Sequence, residues 1–548
     1  MKKLILLAFA VFAFLCTSIY GQAPDTVLVP SSDATGVSDA LTRYILGDTT
    51  ASGARNNINR VYKLKRGDIY LLTGKSYYNF PLTLIADDDA TTQPPVIAPF
   101  PLADGSIPRI TFYVYGNTYF KNLYFQGMAP GDTRNSSDRP VNIGGDNTTF
   151  RMKNCVVEGF SAAGIGNIAA NTSVFMEDCL YRNINNISQF NGQFFYNFGT
   201  TMDTISIVNC TYFNGSSYFL CNASQYAKYI RFEHNTLFIN NDNPFYVPYL
   251  GKAVIKNNIL FCPASVGETL TERADGYYDW DNQHLAVFSI DTIPTDMAAA
   301  NNITEATRDI NLSNNAYFWP QKIKDCWASI DSLIPPIWLN DRTTALFNDH
   351  AHYPLLKNTN NVEADPGFSS DVLTILDSTV NFVKAIRLKG SPHKFFYNPS
   401  GAPIFPCRWP IPENLAYSNT TLQTAADGGF PLGDLNWFPA KKKEWAAWVL
   451  TDVKQKENTV LKGFNLSQNF PNPFNPTTII NFNIPSAAKT TLKVFDVLGR
   501  EVATLVNKDL NAGSYQVDFN AAKLSSGVYI YRIDAGSFSA SRKMLLLK

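Results

Sequence analysis

Met152-Lys153-Asn154-Cys155-Val156-Val157, Met176-Glu177-Asp178-Cys179-Leu180-Tyr181 and Ile207-Val208-Asn209-Cys210-Thr211-Tyr212 are three copies of one phrase. It reads apolar, any residue, Asn or a polar equivalent, Cys or Asn, then mostly apolar or aromatic residues. Further copies are Phe120–Phe125, Phe232–Leu237, Ile255–Leu260 and Leu312–Tyr317. The polar position falls at 122, 154, 178, 209, 234, 257 and 314, giving separations of 32, 24, 31, 25, 23 and 57 residues. A unit near 24 residues with loop insertions predicts the coils of a parallel β-solenoid. The longest gap predicts one coil plus a large excursion around 263–305.

Each coil contributes short strands that pair with the coils on either side, so like positions stack. Residues two and four before the polar position alternate inward: Phe150 and Met152, Val174 and Met176, Ile205 and Ile207, Ile230 and Phe232. The polar position is expected at a turn, where stacked amides bond to each other and to backbone. The next column reads Leu123, Cys155, Cys179, Cys210, Asn235, Asn258 and Asn315. Small thiols suit such a buried column, so these cysteines are read as packing residues and not as disulfides. The pattern over about residues 110–320 resembles the right-handed parallel β-helix of pectate-lyase-like proteins, with its internal asparagine ladder.

Working outward, the ends need caps. Val37–Leu46 predicts a short amphipathic helix with Ser38 as N-cap and Leu41 and Ile45 on one face. Arg60–Leu64 and Asp68–Leu72 read as strands around the turn Lys65-Arg66-Gly67. Residues 22–110 are therefore an N-terminal cap and first coil, 111–320 the regular coils, and 321–440 the C-terminal part of the β-helix and its cap. Ala364–Phe368 and Lys389–Pro392 resemble phrases that follow the last coils of secreted β-helix proteins. Gly433-Asp434-Leu435-Asn436-Trp437 resembles the end of such domains. Residues 441–462 read as a charged amphipathic helix and linker.

At 548 residues the chain is too long for one ordinary core. It is 45% hydrophobic and only 17% charged, with Lys+Arg and Asp+Glu balanced at 46 each. That balance excludes a global field for nucleic acid or acidic membranes. Lys2-Lys3 and the apolar run Leu4–Leu15 read as a signal peptide over residues 1–21, with a lipoprotein reading through Cys16 as the alternative. No other run is long enough to cross a bilayer, so no integral membrane segment is expected.

Residues 463–548 read as short alternating strands, Thr478–Ile484, Thr490–Val497, Ser514–Phe519, Gly527–Asp534 and Ser537–Leu547, which predict a small immunoglobulin-like β-sandwich. Asn469–Pro476, Val494–Arg500, Leu510–Tyr515, Leu524–Tyr529 and Lys543–Lys548 closely resemble the C-terminal sorting domain of type IX secretion cargo in Bacteroidota-like bacteria. The resemblance implies export, an extracellular or outer-membrane-surface location, and the type IX machinery as a partner through 463–548. The fold class is thus all-β: a right-handed parallel β-helix with a short N-terminal helical cap, followed by the sandwich.

Chemistry is less legible. Outward positions beside the polar turn place Arg151, Lys153, Arg231, Glu233 and Lys256 on one face, the set from which a lyase-like base and its partners would come. The plainer reading is stacked surface ion pairs, Lys153 with Glu177 and Glu233 with Lys256. In the excursion Asp275–His284, Tyr277, Tyr278, Asp279 and Trp280 suit sugar stacking and hydroxyl bonding, with Tyr246 as a further platform. Asp275, Asp279 and Asp281 are a candidate Ca²⁺ set, although the spacing is not that of an EF-hand. Phe194-Phe195-Tyr196 could add aromatics, and His234 reads as structural. No nucleophile elbow, P-loop, zinc-protease motif, dinucleotide fingerprint or galacturonase-like paired Asp is present. The expectation is an exported β-helix protein that engages polysaccharide or cell-surface glycan, with lyase-like cleavage. The alternative is a non-catalytic adhesin or scaffold.

Overall fold

The repeated phrase folds as three short strands per coil, and stacking the coils yields three parallel sheets. The computed structural model describes residues 25–547, except 90, 131–135, 188–189, 223–224, 275–283, 392–394, 400, 402–404, 406–408, 452–453, 457–463, 470–471, 486–487, 511–512 and 537. The proposed signal peptide and Cys407 lie outside the described residues. The chain divides into two units, one ending at Phe438 and one beginning at Pro439.

In the first unit, sheet I has 11 strands, sheet II 10 and sheet III 9. One coil shows the order: Thr149–Lys153 in sheet I, Val156–Glu158 in sheet II, Ala163–Asn167 in sheet III, then Thr172–Glu177 in sheet I again. The register is parallel, with Met152 opposite Met176 and Lys153 opposite Glu177. The expected inward residues are buried, including Phe150, Met152, Val174, Met176, Ile205, Ile207, Ile230 and Phe232. The 57-residue gap holds a single coil: Lys252–Lys256 pairs directly with Asp309–Ser313.

The polar turn between sheets I and II explains why Asn recurs. Asn122, Asn154, Asp178, Asn209, His234, Asn257, Asn314 and Asn360 all have φ between 50° and 61°. Asn and Asp tolerate this left-handed conformation better than other residues with a side chain. The continuous amide ladder lies one residue further on. Asn235 Nδ2 donates to Asn258 Oδ1 at 3.2 Å, Asn258 Nδ2 to Asn315 Oδ1 at 2.8 Å, and Asn315 Nδ2 to Asn361 Oδ1 at 2.8 Å. Cys155, Cys179 and Cys210 continue that column as free, buried thiols. A second ladder, Asn167 to Asn197 at 2.9 Å and Asn197 to Asn222 at 2.8 Å, lines the end of sheet III.

Two local expectations change. The N-terminal helix is Ala40–Gly47 with Asp39, not Ser38, at its N-cap, although Leu41 and Ile45 are buried as expected. A shorter helix, Ser32–Thr35, precedes it, and the Ser31 side chain accepts from Ala34 N.

Beyond residue 320 one further coil forms from Ile337–Leu339, Lys357–Thr359 and Val362–Glu363. The chain then turns back along sheet II. Phe368 packs on Phe238 and Phe261, and Tyr397 packs on Phe213. Asp434 Oδ2 accepts from Thr211 at 2.7 Å, and Asn436 donates to Asn209 O at 2.9 Å. Arg182 bonds Glu413 at 2.6 and 2.9 Å and also bonds Glu158, all three nearly solvent-free.

The second unit carries the helix Pro439–Thr451 and two four-stranded antiparallel sheets around a core that includes Ile480, Phe482, Leu492, Val494, Tyr531 and Leu546. The five expected strands are present. Three more complete the sheets: Lys454–Lys456, Asn465–Leu466, and Glu501–Leu510, which pairs with Ala488–Phe495 through a shifted register near Leu492 and Lys493. That shift lets the consecutive Leu505 and Val506 both be buried, which breaks the two-residue period.

Candidate functional site

Sheet I brings part of the expected set together. Glu233 sits between Arg231, at 2.7 Å, and Lys256, at 3.5 Å, and Lys256 also pairs with Asp427 from the returning chain. Arg151 and Lys153 lie apart from this cluster. The register runs Arg151, Phe175, Ser206, Arg231, three coil steps or about 14 Å at the usual strand spacing. Lys153 pairs with Glu177 at 2.6 Å, and the Arg151 guanidinium lies 4.1 Å from the Phe175 ring centroid. Burial pulls the Lys256 and Lys153 amines down, but Glu233 with Asp427, and Glu177, outweigh it, so both pKa values end above the ordinary one. An amine base needs the opposite shift. Burial lowers the Arg151 pKa.

His234 occupies the left-handed turn, with Nδ1 3.3 Å from Gly433 O and Nε2 3.4 Å from Asn257 Nδ2. The candidate sugar platform Tyr277, Tyr278, Asp279 and Trp280 lies outside the described residues. So does the candidate Ca²⁺ set, Asp275, Asp279 and Asp281. Among the described residues, no group of three His, Cys, Asp or Glu side chains is placed to hold a metal ion.

Sheet III carries a different surface. Its strands alternate, so Tyr78, Phe112, Val114, Val141, Ile143, Ile165 and Phe195 enter the core while the residues between them face outward. The outward column is Tyr77, Tyr113, Asn142, Gly166, Tyr196, Cys221 and Tyr246, one residue per coil. Six steps place Tyr77 and Tyr246 about 29 Å apart along the solenoid. Tyr77 stacks on Tyr113 with centroids 4.9 Å apart, Tyr196 meets Phe198 at 4.3 Å, and Tyr218 lies 5.6 Å from Tyr246. The expected platform Tyr246 therefore belongs to a row, whereas Phe194 and Phe195 are core residues.

The row has a notch at Gly166. A side chain there would meet Asn142 Oδ1 at 2.5 Å and Arg139 Nη1 at 2.6 Å. Arg139 lies 4.5 Å from the Phe198 ring centroid, and burial lowers its pKa. Asn142 is 5% exposed, yet its Oδ1 has no hydrogen-bond partner, and neither has the buried Arg139 Nε. An unmet acceptor beside an unmet cationic donor is costly unless a ligand or water completes it. Sequence reasoning missed Tyr77, Tyr113, Arg139, Asn142 and Gly166, because sheet III carries no repeated phrase. The available signal was a recurring tyrosine, at four of seven coil positions, one strand beyond the polar turn.

Among known proteins, residues 468–547 match a family model described as a secretion system C-terminal sorting domain. The chain therefore carries a type IX-type sorting domain, the part of a cargo that its export machinery handles, and is destined for export. Among the described residues, no helix is long and apolar enough to cross a membrane. No curated protein matches the chain. A solved structure that it resembles is the tailspike protein gp49 of Acinetobacter baumannii bacteriophage Fri1, a capsular polysaccharide depolymerase. The likeness covers 97% of this chain and 79% of that one at 10% identity, with a TM-score of 0.27, too distant to bear on this chain's activity.

Proposed function

We propose that this exported protein binds polysaccharide along the outward face of sheet III. The observation that carries the reading is the aromatic row with its polar notch: Tyr77 and Tyr113 on one side, Tyr196, Phe198 and Tyr246 on the other, and Arg139 with Asn142 between them. Flat rings accept the C–H faces of sugars, so a chain laid along the column meets Tyr77 and Tyr113, then the notch, then Tyr196 and Tyr246. The Arg139 guanidinium and the unpaired Asn142 Oδ1 suit a carboxylate and a neighbouring hydroxyl, which points to uronate-containing chains.

The reading is of binding. Of the expected lyase residues, Lys153 and Lys256 are moved upward, opposite to what an amine base needs. The test is retention of the full chain on immobilised polygalacturonate, alginate, xylan and cellulose, with absorbance of unsaturated products followed in Ca²⁺ and in chelator. Retention on an acidic polymer, weakened by Tyr113→Ala, is expected. Failure on every polymer removes the binding reading. Product absorbance that requires Ca²⁺ would restore the lyase and its metal.

A further inference from the structure

A second aromatic site lies where the regular coils end. Tyr317-Phe318-Trp319-Pro320 leaves sheet II, the helix Gln321–Ala328 follows, and Pro335-Pro336 leads into the last strand of sheet III, Ile337–Leu339. These segments enclose a cleft of about 600 Å³ lined by Tyr317, Trp319, Trp327, Trp338, Lys324 and Glu363. That volume is in the range of small-ligand sites, about 300–1,000 Å³. Trp338 stacks on Tyr317 with centroids 4.5 Å apart and planes within 3°, and Trp319 meets Tyr317 at 5.5 Å.

The three indoles differ in one respect. Trp319 Nε1 donates to Pro263 O at 2.7 Å, and Trp327 Nε1 donates to Ser265 O at 2.6 Å. These two are spent holding the segment to the previous coil. Trp338 Nε1 is shut off from solvent and has no acceptor. A buried indole N–H normally finds a partner.

Charge narrows the ligand. The lining holds one cation and one anion, Lys324 and Glu363, paired at 3.0 Å and each about half exposed. An ionic ligand of either sign would meet its own sign here. A neutral hydroxylated ring uses both, donating to Glu363 and accepting from Lys324, while its C–H face rests on aromatic carbon.

We infer that this cleft binds a neutral sugar, as one end of a glycan, with the Trp338 indole shifting from its solvent-closed position so that Nε1 becomes a specificity-determining donor to a ring or hydroxyl oxygen. The site is separate from the sheet III row, and its ligand class is neutral where the notch calls for an acid.

The test titrates the full chain with cellohexaose, maltohexaose, xylohexaose, hexagalacturonate and a proline-rich decapeptide, following tryptophan fluorescence and heat. A neutral hexasaccharide is expected to bind and to perturb fluorescence. Trp338→Phe keeps the stack on Tyr317 but removes the donor, and should weaken that binding about tenfold. Tyr113→Ala should leave it unchanged while weakening hexagalacturonate, so the two sites fail separately. Circular dichroism of Trp338→Phe checks that the coil is intact. Binding of neutral sugars that ignores Trp338→Phe, binding of the peptide instead, or no response to any neutral hexasaccharide would each overturn the assignment.

Discussion

Sheets II and III belong to the same solenoid and treat their outer faces in opposite ways. Sheet II is roofed by the described parts of residues 364–438, and its outward charged and hydroxyl groups include pairs beneath that roof: Arg182 with Glu158 and Glu413, Thr211 with Asp434. Sheet III keeps an aromatic row outward and leaves the Asn142 Oδ1 and Arg139 Nε unmet. Where the chain supplies its own cover, the charged groups are paired internally, although Asn185 Oδ1 and Asn214 Oδ1 beneath the roof also lack a partner. Where it does not, the aromatic row is left uncovered, and that row marks the surface on which a ligand is expected. Substitutions on the two faces should therefore fall into two classes, one read by stability and the other by binding.

The largest effect is expected under the roof. Arg182→Met leaves Glu158 and Glu413 as two buried carboxylates without their common cation, a change that costs about 3–5 kcal/mol. Urea unfolding of the first unit should shift by that amount, with glycan retention unchanged at low denaturant. Adding Glu158→Gln and Glu413→Gln should recover much of the loss, because an apolar or neutral set needs no cation. An unchanged midpoint for Arg182→Met would mean that the roof is held by its aromatic contacts alone.

His234 tests the edge of the same roof. Burial lowers its pKa from 6.5 to about 4, with Glu233, Lys256 and Asp427 as the neighbouring charges. A depressed folded-state value means that the unfolded chain binds the proton first as pH falls. The contribution is therefore full above pH 6.5 and is lost as pH drops toward 4. At about 1.4 kcal/mol per unit the loss is about 3 kcal/mol. His234→Asn keeps a residue that tolerates the turn's φ of 54° and removes the titration. The difference in stability between the two proteins should change across that window and stay flat above it.

Moving to the bare face, Tyr196→Ala should leave the unfolding midpoint within about 0.5 kcal/mol, as for a surface change. It should weaken retention on acidic glycan by about 1 kcal/mol, roughly fivefold, by removing one stacking ring. Equal binding by the variant would move the ligand off the row.

How much of this was legible in the sequence follows from how each part is encoded. The coils were readable because Asn or Asp at a left-handed turn is a local requirement, met again at every copy. Within the expected C-terminal part of the β-helix, the copy Asn358-Thr359-Asn360-Asn361-Val362-Glu363 is harder to read, because a long insertion separates it from Leu312–Tyr317. Amides stack at the expected turn position between Asn154 and Asn122 and between Asn360 and Asn314, while the longer ladder lies one residue further on, because a turn-forming Asn and a ladder Asn are identical in composition. In the second unit the strand Glu501–Leu510 was hidden by the register shift that buries Leu505 beside Val506. The sheet III row had no phrase at all. Its four tyrosines line up only when the coils are in register, and Gly166 becomes informative only when Asn142 and Arg139 converge on it.

Gly166 also gives the smallest and sharpest prediction. An added Cβ would touch Asn142 Oδ1 and Arg139 Nη1, and both are ends of side chains that can turn aside. Backbone strain is absent, so Gly166→Ala should change stability by no more than about 0.5 kcal/mol. The notch, however, would be filled and the guanidinium displaced. Retention on uronate polymers should fall several-fold, while retention on neutral polymers through the tyrosines stays within twofold, roughly the limit of a surface change. Gly164, two residues earlier, is the internal control. A Cβ there runs into the buried Tyr181 ring and comes within 2.7 Å of Phe194 O, and backbone cannot turn aside. Gly164→Ala should therefore lower stability by about 1–3 kcal/mol without altering the preference for acid over neutral glycan. If Gly166→Ala instead behaves like Gly164→Ala, the notch is packing and the unmet Asn142 oxygen is satisfied by water. If only the acidic preference is lost, Arg139 and Asn142 read the charge of the chain.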